Sequence, residues 1–380
     1  MRILELTSDW KWTGPAEPLV HAVTGLRARG HEVDAAFPEP PPEHGGALAE
    51  RARERGVEAA YALARGQGYL PFRDGAEVRR LRAFLRARDF DVVHAQHARA
   101  HILARLAARG SRTRVIASWP HGDPIPAGVW NRWLYGPRGC DGLVVLSERL
   151  AADARTRFGG DPARVAAVPG VVDAARFAPR AASASLRAEL GLAPGQRVIG
   201  LIARLQPHRR VELILEAFVR ALRDAPGLRL LVVGRGTRAR QVLEEPVARL
   251  GLGSAVIRAG YRRGDYQDVL ALLDALVFVV PGSDGSCRAV LETMAMEIPT
   301  IASRRGVLPE TVADGETGVL CAETPESLAA AFTDLWRDPA RWQARGKAAR
   351  RRIVEGHGVE LQAERLEWHY GRVLGLRQGA

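Results

Sequence analysis

Cysteine is scarce in this chain of 380 residues: Cys140, Cys287 and Cys321 lie far apart. None belongs to a CxxC pair, so neither a zinc ribbon nor a disulfide framework is expected. No apolar run approaches the roughly 20 residues that a membrane-spanning helix needs. Met1 does not open a charged start, a long apolar core and a cleavage site, and a secretory leader is not expected. The expected location is therefore cytoplasmic, at most peripheral at the inner face of a membrane. The glycine signature GxGxxG is missing, which argues against a dinucleotide-dependent oxidoreductase. Lysine is nearly absent too: only Lys11 and Lys347 stand among 55 basic residues, set against 43 acidic ones. The net charge of +12 is thus an arginine charge. It favours phosphorylated ligands, anionic membrane surfaces or nucleic acid as partners. Nucleic acid is the weakest of the three, because aromatics are not interleaved with the arginines and no known binding motif occurs.

What the chain does contain is a regular alternation of short apolar runs and amphipathic stretches. At this length two domains are the default. Ile3–Thr7 reads as a first strand, followed by a loop, a helix from about Pro18 to Arg29 and a strand over His31–Phe37. The loop holds Gly14, followed by Pro15, together with Trp10, Lys11 and Trp12. It is either an ordinary connection or a ligand-facing loop in which Gly14 lets the backbone approach closely. Helices are expected over Ala47–Arg65 and Glu77–Arg88. From Arg51 to Arg114 basic residues outnumber acidic ones fifteen to six. That excess reads as solvated helix faces or as a patch for anionic lipid or an anionic acceptor. Strands follow at Val92–Ala95, Val115–Ser118, Leu143–Leu146 and Val165–Val168. His121, in the turn WPHGDP, sits at a strand's C-terminal end, where open α/β sheets bind ligands. Asp89 and Asp91 spell DxD, but they open a strand after a basic helix, and no metal site is assigned to them.

Around Gly170–Ala184 small residues and prolines suggest a linker, after which the pattern restarts. Strand Val198–Ala203 runs into Arg204, a turn, then Arg209 and Arg210 before the helix Val211–Arg223. Arginines at a helix N-terminus oppose its dipole, which suits a bound diphosphate or else an arginine-rich surface turn. Strand Leu230–Val233 ends in a glycine turn bearing Gly234 and Arg235, and strand Val256–Ala259 ends beside Tyr261. The most organised stretch runs from Pro281 to Ser303, between strands Ala275–Val280 and Pro299–Ala302. Val290, Leu291, Met294 and Ala295 recur at spacings of three and four, one apolar helix face. Gly285, Ser286, Cys287 and Arg288 lead into that helix and offer backbone N–H groups to an anion. Asp284 precedes it, and Glu292 lies two turns inside. Glu292 is either a solvated edge residue or an acceptor for ligand hydroxyls, as acidic residues are for ribose in doubly wound sheets. Strands alternating with helices imply parallel sheets with right-handed crossovers. From Thr324 onward the pattern is helical.

Taken in order, these stretches resemble the retaining glycosyltransferases of family four over nearly the whole chain. ARLQPHRR resembles the family's G-R-L turn followed by Lys, with Arg204 in place and Arg209 standing for the lysine. Asp284-Gly285 through Glu292 resembles its E-x7-E motif, with Asp for the first Glu. His121-Gly122 matches its H-G, and Gly14-Pro15 its phosphate-approaching G-G. DGLVVLSERL and VPGVVDAARFAP resemble the segments flanking its linker.

The resemblance implies a GT-B fold: two Rossmann-like α/β domains with parallel sheets facing a cleft. They would span residues 1–175 and 185–360, with the helix of 361–380 crossing back to the first. It further implies a nucleotide-diphosphate sugar as donor substrate, a glycan or lipid-linked acceptor, and neither a cofactor nor a metal. Arg204, Arg209, Asp284 and His121 would be catalytic. Gly14, Gly234, Arg235, Tyr261, Gly285, Ser286, Cys287, Arg288 and Glu292 would hold the donor. The alternatives are a non-catalytic GT-B-like nucleotide-sugar-binding scaffold and a sugar-nucleotide epimerase.

Overall fold

A computed structural model describes residues 1–12, 14–40, 48–64, 71–159, 161–282 and 285–376, with the backbone alone at 71 and 72. The chain forms two compact units. The first comprises Met1–Val171, Ser283–Ser286 and Val359–Ala380; the second comprises Val172–Gly282 and Cys287–Gly358.

The first unit is built on seven strands, β1 (Arg2–Thr7), β2 (Glu32–Pro38), β3 (Ala59–Leu63), β4 (Val92–Gln96), β5 (Arg114–Trp119), β6 (Gly142–Val145) and β7 (Val165–Ala167). Their order is β3-β2-β1-β4-β5-β6-β7, and every pairing is parallel. The central strands are buried on both faces, β4 at every residue, as parallel sheets between helical layers require. The second unit has six: β8 (Arg197–Ile202), β9 (Leu228–Val233), β10 (Val256–Gly260), β11 (Ala275–Phe278), β12 (Thr300–Ser303) and β13 (Gly318–Cys321). They run parallel in the order β10-β9-β8-β11-β12-β13. Two parallel α/β sheets are thus present, as expected.

One expectation fails. The helix placed over Ala47–Arg65 is a short helix, Leu48–Arg53, followed by β3. Gly56, at φ +70°, takes the left-handed turn that ends the helical segment. Beyond it Tyr61 and Leu63 alternate inward and β3 pairs with β2. An Ala- and Glu-rich stretch has helical propensity, but pairing with a waiting sheet edge overrides it. Residues 47 and 65 themselves lie outside the described residues. Asp89 and Asp91 play structural parts: Asp89 pairs with Arg112, and Asp91 accepts the Arg2 backbone N–H at 2.8 Å.

The last helix, Val359–Leu374, belongs to the first unit. It lies against the helix Ala16–Ala28, where a Cβ on Gly25 would stand 2.8 Å from the Ala363 Cβ. Gln362 donates to the Pro18 carbonyl at 3.3 Å, and Glu367 pairs with Arg29 and His31. Under this helix a polar column crosses three neighbouring strands. The Tyr370 hydroxyl donates to Glu5 Oε1 at 2.8 Å, and His94 Nδ1 lies 2.7 Å from that hydroxyl. His94 Nε2 faces Ser118 Oγ at 2.7 Å. The column fixes the helix in register, since Glu5, His94 and Tyr370 are all buried. Gly25→Val should therefore lower stability in urea melts by about 1–3 kcal/mol, the usual cost of overpacking a close contact. A variant as stable as the parent would show that the helix pair yields freely.

Candidate active site

In the second sheet the strand order reverses between β8 and β11, and ligands of open α/β sheets bind beyond the strand ends at such a point. The segments that leave these two strands carry most of the candidate residues. Arg204 follows β8 and is exposed. Its turn is pinned by the glycine turn after β9. Leu205 N–H donates to the Arg235 carbonyl at 3.2 Å. A Cβ on Gly234 would lie 2.1 Å from the Ala203 oxygen, and one on Gly236 2.1 Å from the Leu205 oxygen. These close approaches account for both glycines, so Gly234 shapes the turn that presents Arg204.

Arg209 ends a single 3-10 turn, Pro207–Arg209, and is buried. Its guanidinium lies 4.9 Å from the ring centroid of Phe278 at the end of β11, within cation–π range. A Cβ on Gly282 would sit 2.7 Å from Arg209 Nη1, so glycine at 282 leaves the guanidinium its place. Arg210 turns elsewhere. It adopts a left-handed conformation, φ 53°, and pairs with Glu323. Hydrogen bonds from Arg305 and Arg210 hold the Glu323 carboxyl below its usual pKa. Of the arginine pair, only Arg209 serves the β8–β11 region.

Cys287, buried and left-handed at φ 54°, precedes the helix Arg288–Ala295. The residues Val290, Leu291, Met294 and Ala295 are wholly buried, so the apolar face read from their spacing is the core face. Glu292 is also buried, at 6% exposure, which rules out a solvated edge. Its Oε2 accepts from the Tyr266 hydroxyl at 2.9 Å, and its Oε1 lies 3.3 Å from Arg288 Nε. A carboxylate withdrawn from water in this way is maintained by charge and hydrogen bonds together. Beyond the C-terminal ends of β9 and β10, Arg235 lies over the exposed Tyr261 ring at 4.6 Å. Asp284 lies outside the described residues.

The remaining candidates belong to the first unit. Gly14 occupies the turn between β1 and the helix Ala16–Ala28. His121 follows β5, its ring 4.4 Å from that of Trp119. Its loop is held by Trp119 Nε1 donating to the Asp123 carbonyl at 2.7 Å and by Arg149 donating to the Gly122 carbonyl at 3.2 Å. Desolvation lowers the His121 pKa despite the opposing Asp123 charge. That shift favours the neutral imidazole, a hydrogen-bonding group. Gly285 and Ser286 group with this unit. Gly285 N–H donates to the Pro120 carbonyl at 3.0 Å, and a Cβ there would collide with the Gly122 backbone. Ser286 is buried.

Two residues that sequence reading missed shape the second unit's site. Tyr266 orients Glu292, and Phe278 carries Arg209. Neither stands at a spacing that points to its partner, because both contacts are made across the fold. Among the described residues no three His, Cys, Asp or Glu side chains gather as metal ligands do.

Residues 183–352 match the family model for glycosyl transferases group 1, and residues 17–176 match that for glycosyltransferase family 4. A D-inositol 3-phosphate glycosyltransferase of Kineococcus radiotolerans is 32% identical over 305 residues, 75% of this chain and 67% of the relative. Its counterpart in Segniliparus rotundus is also 32% identical, but the match spans only 54% of this chain and 48% of the relative. The chain thus covers from half to two thirds of these proteins. A GDP-mannose-dependent alpha-(1-6)-phosphatidylinositol monomannoside mannosyltransferase of Mycolicibacterium smegmatis is 28% identical over 93% of this chain and 94% of its own. Among solved structures, a glycosyltransferase from Rickettsia africae superposes with a TM-score of 0.83 at 16% identity, covering 98% of both chains. HepE from Anabaena, in complex with UDP and glucose, gives 0.79 at 17% identity, covering 98% of this chain and all of that one.

Proposed function

This chain belongs to the glycosyltransferases of family four, and from that premise we propose that it is a retaining enzyme using a nucleoside-diphosphate sugar. The acceptor is a hydroxyl on a glycan or lipid-linked molecule. The curated relatives, named for inositol phosphate and phosphatidylinositol mannoside chemistry, favour an inositol-phosphate-bearing acceptor. The observation that carries the reading is Glu292, a buried carboxylate aligned by Tyr266 and Arg288 beside the reversal of strand order.

In this proposal the ribose hydroxyls donate to Glu292, and Arg235 and Tyr261 flank the nucleotide. On the second unit Arg204, Arg209 and the backbone N–H groups of residues 287 and 288 meet the diphosphate; Gly14, in the first unit, keeps the phosphate-approaching role that the family resemblance gives it. His121, neutral, and Asp284 orient the sugar. As the glycosidic C–O bond breaks, negative charge grows on the departing phosphate. Fixed arginines stabilise that charge without reorganisation, which is the largest lever available to such a site. Attack on the same face preserves the anomeric configuration, and the leaving phosphate oxygen takes the acceptor's proton. The charge stabilisation that a divalent cation gives in other transferases is here supplied by arginine.

Calorimetry tests the donor half. UDP or GDP should bind the parent, and Glu292→Ala should weaken binding by about 10- to 100-fold, the worth of hydrogen bonds to a charged group. Equal affinity in both proteins would remove Glu292 from the donor site.

A further inference from the structure

Residues 126–130, Pro-Ala-Gly-Val-Trp, are all apolar or glycine and all exposed. Val129 is 88% exposed, Trp130 58% and Trp133 38%. Soluble proteins scatter such residues singly, and a continuous exposed apolar run marks a contact surface. The run is also firmly built. It opens the helix Val129–Tyr135, whose Leu134 and Tyr135 are buried in the first unit's core. Asn131 Nδ2 ties the helix to the Pro126 carbonyl at 2.9 Å. The Trp130 and Trp133 rings stack at 5.2 Å and 25°.

Its chemistry singles out one occupant. The stacked rings cover one face of each other, so the pair presents a thick apolar wedge, with less open ring face for a sugar to stack on. Tryptophan combines an apolar body with an N–H donor, and it concentrates where hydrocarbon meets water. No acidic residue occurs between Asp123 and Asp141, whereas Arg132 and Arg138 are exposed there. Arg105 donates to the Arg138 carbonyl at 3.0 Å, which brings a third guanidinium alongside. An exposed apolar wedge in a segment whose only charged side chains are arginines complements an anionic lipid headgroup layer.

The arginine-rich stretch from Arg51 to Arg114 is a poorer fit for that role. Many of its guanidinium groups are engaged within the protein: Arg55 with Glu17, Arg82 with the Leu106 and Ala107 carbonyls, Arg99 with Asp74, and Arg112 with Asp89. Its helix Pro71–Arg88 presents no comparable run of exposed large apolar side chains among the described residues.

We propose that residues 126–133 seat the first unit on an anionic phospholipid surface. Trp130 and Trp133 enter the headgroup layer, and Arg132 and Arg138 meet lipid phosphates. His121 lies five residues before Pro126, so the seated loop meets an acceptor carried in the same lipid. Only this last clause rests on the transferase reading.

Co-sedimentation of the full chain with phosphatidylcholine vesicles, with and without phosphatidylglycerol, tests the proposal. The parent should bind vesicles containing phosphatidylglycerol, and Trp130→Ser with Trp133→Ser should reduce binding roughly tenfold or more. Arg132→Gln with Arg138→Gln should lower binding to the anionic vesicles about 5- to 30-fold, as expected for two juxtamembrane charges. Melting temperature and nucleoside-diphosphate binding should be unchanged in all variants, since these residues are exposed. Equal binding by parent and tryptophan variant, or none by the parent, overturns the proposal. So does self-association of the parent that the tryptophan changes abolish, because the occupant is then a second copy. Vesicle binding that survives a failure to bind any nucleotide would separate this inference from the transferase reading.

Discussion

Arg209→Met is expected to lower sugar transfer roughly 100- to 1,000-fold, the usual cost of losing one preorganised donor to developing negative charge. Methionine retains an unbranched apolar stem against Phe278, so packing at the end of β11 should largely survive. The lost element is the fixed charge beside Gly282. Arg209→Lys should recover part of the rate, since lysine restores the charge without the planar fork. The loss belongs to the chemical step, so single-turnover rates at saturating donor should fall far more than donor affinity. A variant with an unchanged rate would show that Arg209 is structural and leave Arg204 as the cation to test.

The second large effect is on stability, and it comes from two histidines that the proposed chemistry does not use. His101 and His369 are buried in the first unit, and desolvation lowers their pKa values to about 4 and about 3. His369 has no hydrogen-bond partner on either ring nitrogen among the described residues, while His101 Nε2 lies 3.1 Å from the Gly139 carbonyl. Both rings are therefore neutral when folded, whereas in the unfolded chain each titrates near 6.5. Between these values the unfolded state binds more protons, so stability rises with pH there. The contribution is complete above about pH 6.5 and drains away as pH falls towards 4 and then 3, by about 1.4 kcal/mol per unit for each ring. Two such groups remove about 4 kcal/mol by pH 5, a large share of a total that is commonly 5–15 kcal/mol, and acid unfolding of the first unit is expected below pH 5. His369→Leu should leave the urea midpoint at pH 7 almost unchanged and reduce the slope between pH 6.5 and 4 by about half. Parent and variant with parallel pH profiles would show that His369 is not the group responsible.

The sequence reading succeeded where information is local. The strands announce themselves as short β-branched runs, and the spacing of Val290, Leu291, Met294 and Ala295 describes a helix whose apolar face the core uses. Glycines at strand ends marked turns, although Gly234 and Gly236 serve backbone packing that no local signal reveals. The reading failed where sheet pairing decides. Residues 59–63 form an edge strand because β2 offers them an unpaired edge, and their Ala-rich composition points the other way. Partners distant in sequence were also hidden: Tyr266 lies 26 residues from Glu292, and Tyr370 lies 365 from Glu5. Charge counting left Arg51–Arg114 open between solvated helix faces and a binding patch, because counting cannot show which guanidinium groups are already paired. The spacing of Trp130 and Trp133 also suits a core face, so their exposure is not legible in the sequence.

The central claim is that this chain breaks and remakes a glycosidic bond with retention. Its most direct test offers a bound nucleotide sugar, labelled with 18O at the glycosidic oxygen, to the full chain with inositol phosphate or phosphatidylinositol acceptors. Released nucleoside diphosphate and the anomeric configuration of the product would be followed by NMR. The account predicts a product with the donor's own configuration, formed by the parent and nearly lost in Arg209→Met. A product of inverted configuration would contradict it, and so would a donor that binds at Glu292 yet returns with no product formed and its label unscrambled.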